Sequence, residues 1–230
     1  NYKWSPGGTE YTNAGMFAYW TRSGSSWSYK ASYQGSISAN NMYLGQGIAI
    51  SGDGTRCIVG IPGANHCRVF TLSTSAITFE ATISSGYYGG QLGYFADMNA
   101  DGSVAVAGDY AYDSSKGRIV IARRTGTTWS TSVISPASLV ANDYFGRGVC
   151  VSPDGNMIVV GAMQATRQSL SNTGSVYIFT WNGSTWEQNA EFQASDPAVN
   201  AYYGRVVALS GDKTRLLVGN EIRNKCYVYK

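Results

Sequence analysis

The chain has 230 residues and a formal net charge of +3, with 43% hydrophobic and only 13% charged residues. That balance excludes a disordered polypeptide and predicts a packed core. The surplus positive charge has no basic cluster behind it, Arg123-Arg124 being the nearest, so neither nucleic acid nor an anionic membrane surface is implied as a partner.

In chain order, residues 15–20 (Gly-Met-Phe-Ala-Tyr-Trp) and Trp27 to Tyr33 read as two strands, the end of a unit spanning 1–38. Three longer units follow over 39–84, 85–138 and 139–194, and a partial one over 195–230. Each later unit opens on a bulky residue and Gly: Leu44-Gly45, Leu92-Gly93, Phe145-Gly146 and Tyr203-Gly204. Alternating apolar residues then lead to an Asp eight positions after the Gly, namely Asp53, Asp101, Asp154 and Asp212. Ile48/Ile50, Val149/Val151 and Val207/Leu209 alternate with Ala49, Cys150 and Ala208, the period-2 pattern of a strand. Asp-Gly between two such runs predicts a tight hairpin, because Gly tolerates positive φ. The fourth copy has Asp212-Lys213, which predicts a different or a strained turn.

A second apolar run ends in Gly60, Gly108, Gly161 and Gly219, and a third covers 67–70, 119–122, 176–179 and 226–229. The fourth follows a turn marked by Gly and Trp, as in Gly126 to Trp129 and Gly183 to Trp186. Third strands step from Phe17 to Cys67, Ile119, Val176 and Cys226 by 50, 52, 57 and 50 residues. Four short strands in a period of that size make one propeller blade. The expected fold is therefore all-β: a β-propeller of four-stranded antiparallel blades, with about four repeats here and room in the pattern for a larger ring. Small residues at Ala49, Cys150 and Ala208 suit an innermost strand near the axis, and Asp97 breaks that rule.

Phe145-Gly146, Ser152 with Asp154-Gly155, Val160-Gly161-Ala162, Gly174 through Phe179 and Trp186 together resemble the FG-GAP repeat. Integrin α-subunits and many secreted or cell-surface propellers carry such repeats. The resemblance implies a non-catalytic recognition or adhesion module that binds protein or glycan, outside the cell or at its surface. A structural subunit of a larger assembly is the second reading, and an enzyme domain acting on a polysaccharide the third. Relatives often bind calcium in the loop between the first two strands. Here each such loop has a single Asp, too few carboxylates for six to eight oxygens, so these Asp residues are read as turn formers. No metal and no cofactor is expected.

His66 is the sole histidine and has no acidic neighbour in sequence, so no catalytic residue is assigned. Asp109 and Asp113 are read as solvated loop acids. Loops before each first strand, and between strands two and three, should share one face of the propeller. They carry Tyr88, Tyr110, Tyr112, Tyr144, Tyr202, Arg167 and Arg223, residue types enriched at recognition surfaces. Tyr144 and Tyr202 also suit packing at blade junctions, whereas Tyr110, Tyr112 and Arg167 are expected to be exposed. Trp27, Trp129 and Trp186 recur with the repeat and should pack in the core or at blade edges. Cys57 and Cys67 are the one proposed disulfide pair, facing across a hairpin; buried free thiols are the alternative. Asn182-Gly-Ser184 is an N-glycosylation sequon on a predicted hairpin tip.

No run approaches the roughly 18 apolar residues of a spanning helix, so no membrane insertion is expected. No leader is visible, and the start at Asn1 suggests a processed chain or a piece of a longer one. The partial units at the two ends predict completion by further blades or by another subunit, since bare strand edges invite pairing.

Overall fold

The structure, a computed structural model, describes residues 3–4, 11–34, 39–87, 89–220 and 224–230. Strands alternate apolar and polar residues where one face is buried, and run apolar on both faces where blades stack. Three four-stranded antiparallel meanders result. A short ladder pairs β1 (Lys3–Trp4) with β2 (Tyr11–Thr12). The first sheet has two strands, β3 (Phe17–Ser23) and β4 (Ser26–Tyr33). The second contains β5 (Ile48–Ile50), β6 (Arg56–Ile61), β7 (His66–Leu72) and β8 (Ile77–Ser84). The third contains β9 (Phe95–Met98), β10 (Val104–Asp109), β11 (Arg118–Thr125) and β12 (Thr128–Ile134). In the fourth lie β13 (Phe145–Val151), β14 (Met157–Ala162), β15 (Ser175–Trp181) and β16 (Trp186–Phe192). The fifth has three strands, β17 (Tyr203–Leu209), β18 (Leu216–Asn220) and β19 (Lys225–Tyr229). Among the described residues helical structure is limited to single turns at Pro62–Ala64 and Tyr112–Ser115.

Consecutive sheets stack face to face, and the core lies between them. Ile58, Cys67, Val69 and Ile83 of the second blade meet Met98, Ala105, Ala107 and Val120 of the third. Val106, Ile119 and Ile121 meet Ile158, Val160 and Tyr177 across the next junction. Cys150, Val159 and Val176 meet Val207, Leu216 and Val218 across the last. The repeat's glycines make this stacking possible. A Cβ on Gly60, Gly108 or Gly161 would lie 1.8, 1.9 or 1.7 Å from the carbonyl oxygen of Gly93, Gly146 or Gly204 in the following blade.

The Asp-Gly hairpins behave as turn formers. Asp53 Oδ1 accepts from Ser51 Oγ (2.6 Å) and from the Thr55 amide (2.9 Å). Asp154 and Asp212 repeat both bonds, and Asp101 accepts from Asn99 and the Ser103 amide. Gly54, Gly102 and Gly155 take φ of 71°, 67° and 70°, and Lys213 takes 61°. The fourth turn is thus the same turn with a lysine held in the left-handed region. Asp97, the exception on the inner strand, bridges two blades: its Oδ2 accepts from the Val151 amide at 2.8 Å. Burial pushes the Asp97 carboxyl above its ordinary pKa, and the Val151 and Met98 amides oppose that.

The register corrects the expected disulfide. Cys57 pairs with Phe70 and Cys67 with Gly60, so the two are offset by three residues along the hairpin. Cys57 packs toward the first blade and Cys67 toward the third, a geometry that cannot be bridged without moving backbone. All four cysteines are free thiols. Trp129 and Trp186 pack partly buried against the core, while Trp27 is 66% exposed, contrary to expectation. Among the described residues the first sheet has no inner strands for Trp27 to pack beside. Among the described residues no strand pairing or backbone hydrogen bond joins the first sheet to the fifth, and the ring stands open.

Candidate functional site

Three of the four junctions between the described sheets are laced by one local motif. The amides of Tyr43, Tyr144 and Tyr202 donate to the carbonyls of Asn13, Ser115 and Asn172 in the preceding blade, at 2.9, 2.9 and 3.0 Å. All three tyrosines hold positive φ, at 55°, 57° and 53°, a conformation that costs a bulky residue about 1–2 kcal/mol. Asn13 Nδ2 to Asn41 Oδ1 (3.0 Å) and Asn172 Nδ2 to Asn200 Oδ1 (2.8 Å) close the same junctions from the side chains. Tyr144 and Tyr202 are therefore junction residues, whose backbone is fixed before any ligand contact.

At the junction of the third and fourth blades this scaffold gathers an aromatic cluster. The Tyr110 and Tyr144 rings stack with centroids 5.7 Å apart and planes 17° from parallel. Tyr94 stands edge-on to Tyr110 at 5.4 Å. Above them the Arg147 guanidinium lies 5.0 Å from the Tyr94 and Tyr110 centroids and 4.6 Å from Phe95. Such a cation over several ring faces is held by their quadrupoles. Its Nη1 is buried without a hydrogen-bond partner in the protein. Burial lowers the Arg147 pKa, the nearby Arg205 charge lowers it further, and the Tyr110 hydroxyl opposes both. Burial also raises the Tyr110 pKa, against the Arg147 charge.

A second cluster adjoins it. Arg118 sits 3.8 Å over the Tyr112 ring and 5.1 Å from Tyr87, and Tyr87 meets Tyr112 edge-on. Arg118 Nε donates to Asp109 Oδ2 at 2.9 Å, and Asp109 Oδ1 accepts the Gln91 amide at 2.7 Å. Asp109 is completely buried, which corrects its reading as a solvated acid; Asp113 is exposed beside Lys116.

Tyr110 and Tyr112 are half-buried rather than exposed, because both are held under guanidinium groups. Arg167 is likewise committed: it bonds Glu191 (2.8 Å) and the Tyr177 hydroxyl (2.7 Å) and lies 3.5 Å from Asp143. Burial holds the Tyr177 hydroxyl up at about 12. Tyr88 and Arg223 lie outside the described residues. The structure thus brings together Tyr110 and Tyr144 and adds Tyr94 and Arg147, which sequence reasoning missed. Their signal was positional: Gln46, Tyr94, Arg147 and Arg205 each follow the Gly that opens a repeat.

His66 is half-buried, with Nδ1 3.2 Å from the Ala64 carbonyl and Nε2 buried without a partner. Burial lowers its pKa. Among the described residues no helix is long and apolar enough to cross a membrane, and no group of three or more His, Cys, Asp or Glu could hold a metal.

A family model for the FG-GAP repeat matches residues 130–179 and 186–227. Among curated proteins none matches the chain significantly. The β-propeller domain of Myceliophteria thermophila Cps50 (Swd1) is 12% identical, with a TM-score of 0.61 over 93% of this chain and 59% of that one. A putative 6-phosphogluconolactonase from Bacteroides uniformis is 14% identical, with a TM-score of 0.56 over 80% of this chain and 49% of its own. Its counterpart from Bacteroides fragilis gives 15%, 0.56, 79% and 49%. The chain spans about half the length of these structures, and at such identity they share the fold alone.

Proposed function

We propose that this chain, an FG-GAP-repeat β-propeller, is a non-catalytic recognition or adhesion module that binds protein or glycan through its loop face. The observation that carries the reading is the Tyr94–Tyr110–Tyr144 cluster under Arg147. The Tyr144 backbone is held by a junction hydrogen bond and the Tyr94 amide by a turn to Gln91, so little order is lost there on binding. Aromatic faces stack on sugar rings or apolar side chains, and the Arg147 charge beneath a ligand favours an acidic or hydroxyl-rich one. Tyr112 beside Arg118 extends the surface.

The two lactonase structures raise an enzyme reading. Against it stand the chemical states of the candidate groups here. Burial holds the Cys57 and Cys150 thiols at about 12 and pushes Cys67 up as well, and only thiolates are nucleophiles. We place the protein outside the cell or at its surface, with Asn182 on the exposed hairpin between β15 and β16 as a glycan acceptor. Glycosidase treatment of the secreted protein should then shift its mobility.

Immobilised glycans and cell-surface proteins are the probes for the loop face. Specific binding should weaken about tenfold or more, or 1.4 kcal/mol, in Tyr110→Ala and in Arg147→Ala. Binding that survives both substitutions would move the site elsewhere, and no binding to any probe would refute the reading.

A further inference from the structure

An apolar groove of about 600 Å³ runs beside β3, lined among others by Phe17, Trp20, Trp27, Ile48 and Ile50. The repeat identifies what this space holds in the other blades. Val207 of the fifth blade is the counterpart of Ile48, and Cys150 and Val159, from the first and second strands of the fourth blade, cover it. Val207 is 7% exposed, whereas Ile48 and Ile50 are 51% and 56% exposed. The groove is the place of a blade's inner hairpin, its first two strands. Among the described residues the inner edge of β3 is correspondingly unpaired: β3 pairs with β4 alone, while its counterpart β15 also pairs with β14.

The other end of the arc carries the complementary part. Ala208 and Leu217 are the counterparts of Cys150 and Val159, and both are exposed, Leu217 at 41%. The β17–β18 hairpin that bears them thus presents, uncovered, the surface the groove lacks. Gly219 on β18 is also uncovered: a Cβ there would meet nothing nearer than 3.5 Å, against 1.7 Å at Gly161. Among the described residues no strand pairing or backbone hydrogen bond joins these two ends of one chain.

We propose that the groove receives the β17–β18 hairpin of a second copy of this chain, so that two copies join head to tail. The third-strand place in the composite blade is claimed by both β19 and β3, so β3 replaces β19 along β18. Hydrogen bonds lost from one strand are regained by the other, as in domain swapping. The inference is independent of the loop-face ligand.

Sedimentation and hydrogen exchange on the full chain across a concentration series test it. The expected result is a dimer in which amides of 17–21 gain protection while those of 225–229 lose it. Ile48→Asp and Leu217→Asp each replace a half-exposed side chain, so the fold should persist by circular dichroism and each variant should be monomeric. Mixing the two variants should restore dimers, because one of the two junctions is then wild type. A wild type that stays monomeric at its highest soluble concentration overturns the proposal. So does a dimer that neither variant weakens, or one lost in Ile48→Asp alone without rescue, which would be groove against groove. A monomer with 17–21 already protected would mean closure by the chain's own hairpin, and would also overturn it.

Discussion

A Cβ placed on Gly161 would lie 1.7 Å from the carbonyl oxygen of Gly204 in the next blade. The two glycines of the repeat, one ending the second strand and one opening the following copy, are therefore a single contact between blades. Gly161→Ala should force the blades apart and cost about 1–3 kcal/mol or more. Gly219→Ala is the matched control, since its Cβ meets only Val206 at 3.5 Å, and its cost in dilute monomer should stay within about 0.5 kcal/mol. Thermal unfolding of the two variants side by side checks this, and equal losses would refute the junction argument.

Lys213 stands where three other copies have glycine, at φ of 61°. Lys213→Gly should relieve about 1 kcal/mol of backbone cost. It also removes the 2.6 Å contact of Lys213 Nζ with Asp154, a half-exposed ion pair worth about 0–1 kcal/mol and screened by salt. The substitution should be near neutral at low ionic strength and stabilising at high ionic strength. Urea unfolding at both salt concentrations reads the difference; destabilisation at high salt would contradict the strain.

Of the four thiols only Cys226 is exposed. A thiol reagent should titrate one cysteine in the native protein and four after denaturation, with no reductant needed. Two missing thiols in the denatured titration would restore a disulfide.

Acid should unfold the turns. Asp154 titrates at about 2 because Lys213 and Ser152 bond its charged form, below an ordinary 3.8; Asp53 and Asp101 are lowered in the same direction. A carboxylate depressed on folding stabilises fully above the unfolded pKa and loses that contribution as pH falls through the folded one. Stability should therefore drop between pH 3.8 and about 2, and less steeply in Asp154→Asn. The raised Asp97 carboxyl acts in the opposite sense and at higher pH, so Asp97→Asn should remove a gain in stability that accompanies acidification down to pH 3.8.

The blades were legible in the sequence because strand period, Asp-Gly turns and glycine spacing are local and repeat in register. Leu44-Gly45 and its three later copies mark where each blade begins with no knowledge of the neighbouring chain. Local pattern also identified the Asp residues as turn formers, since an Asx turn needs only residues two apart. What depended on packing between blades was not legible. The offset of Cys57 from Cys67 is a matter of register. The burial of Asp109 follows from an arginine nine residues away on β11. The assembly of Tyr94, Tyr110, Tyr144 and Arg147 is decided by how two blades stack, because side chains from separate loops meet only when the twist and spacing of the sheets bring them within reach. The open groove at Ile48 is likewise a property of the ring: the residue is an ordinary strand isoleucine until one sees that nothing lies over it.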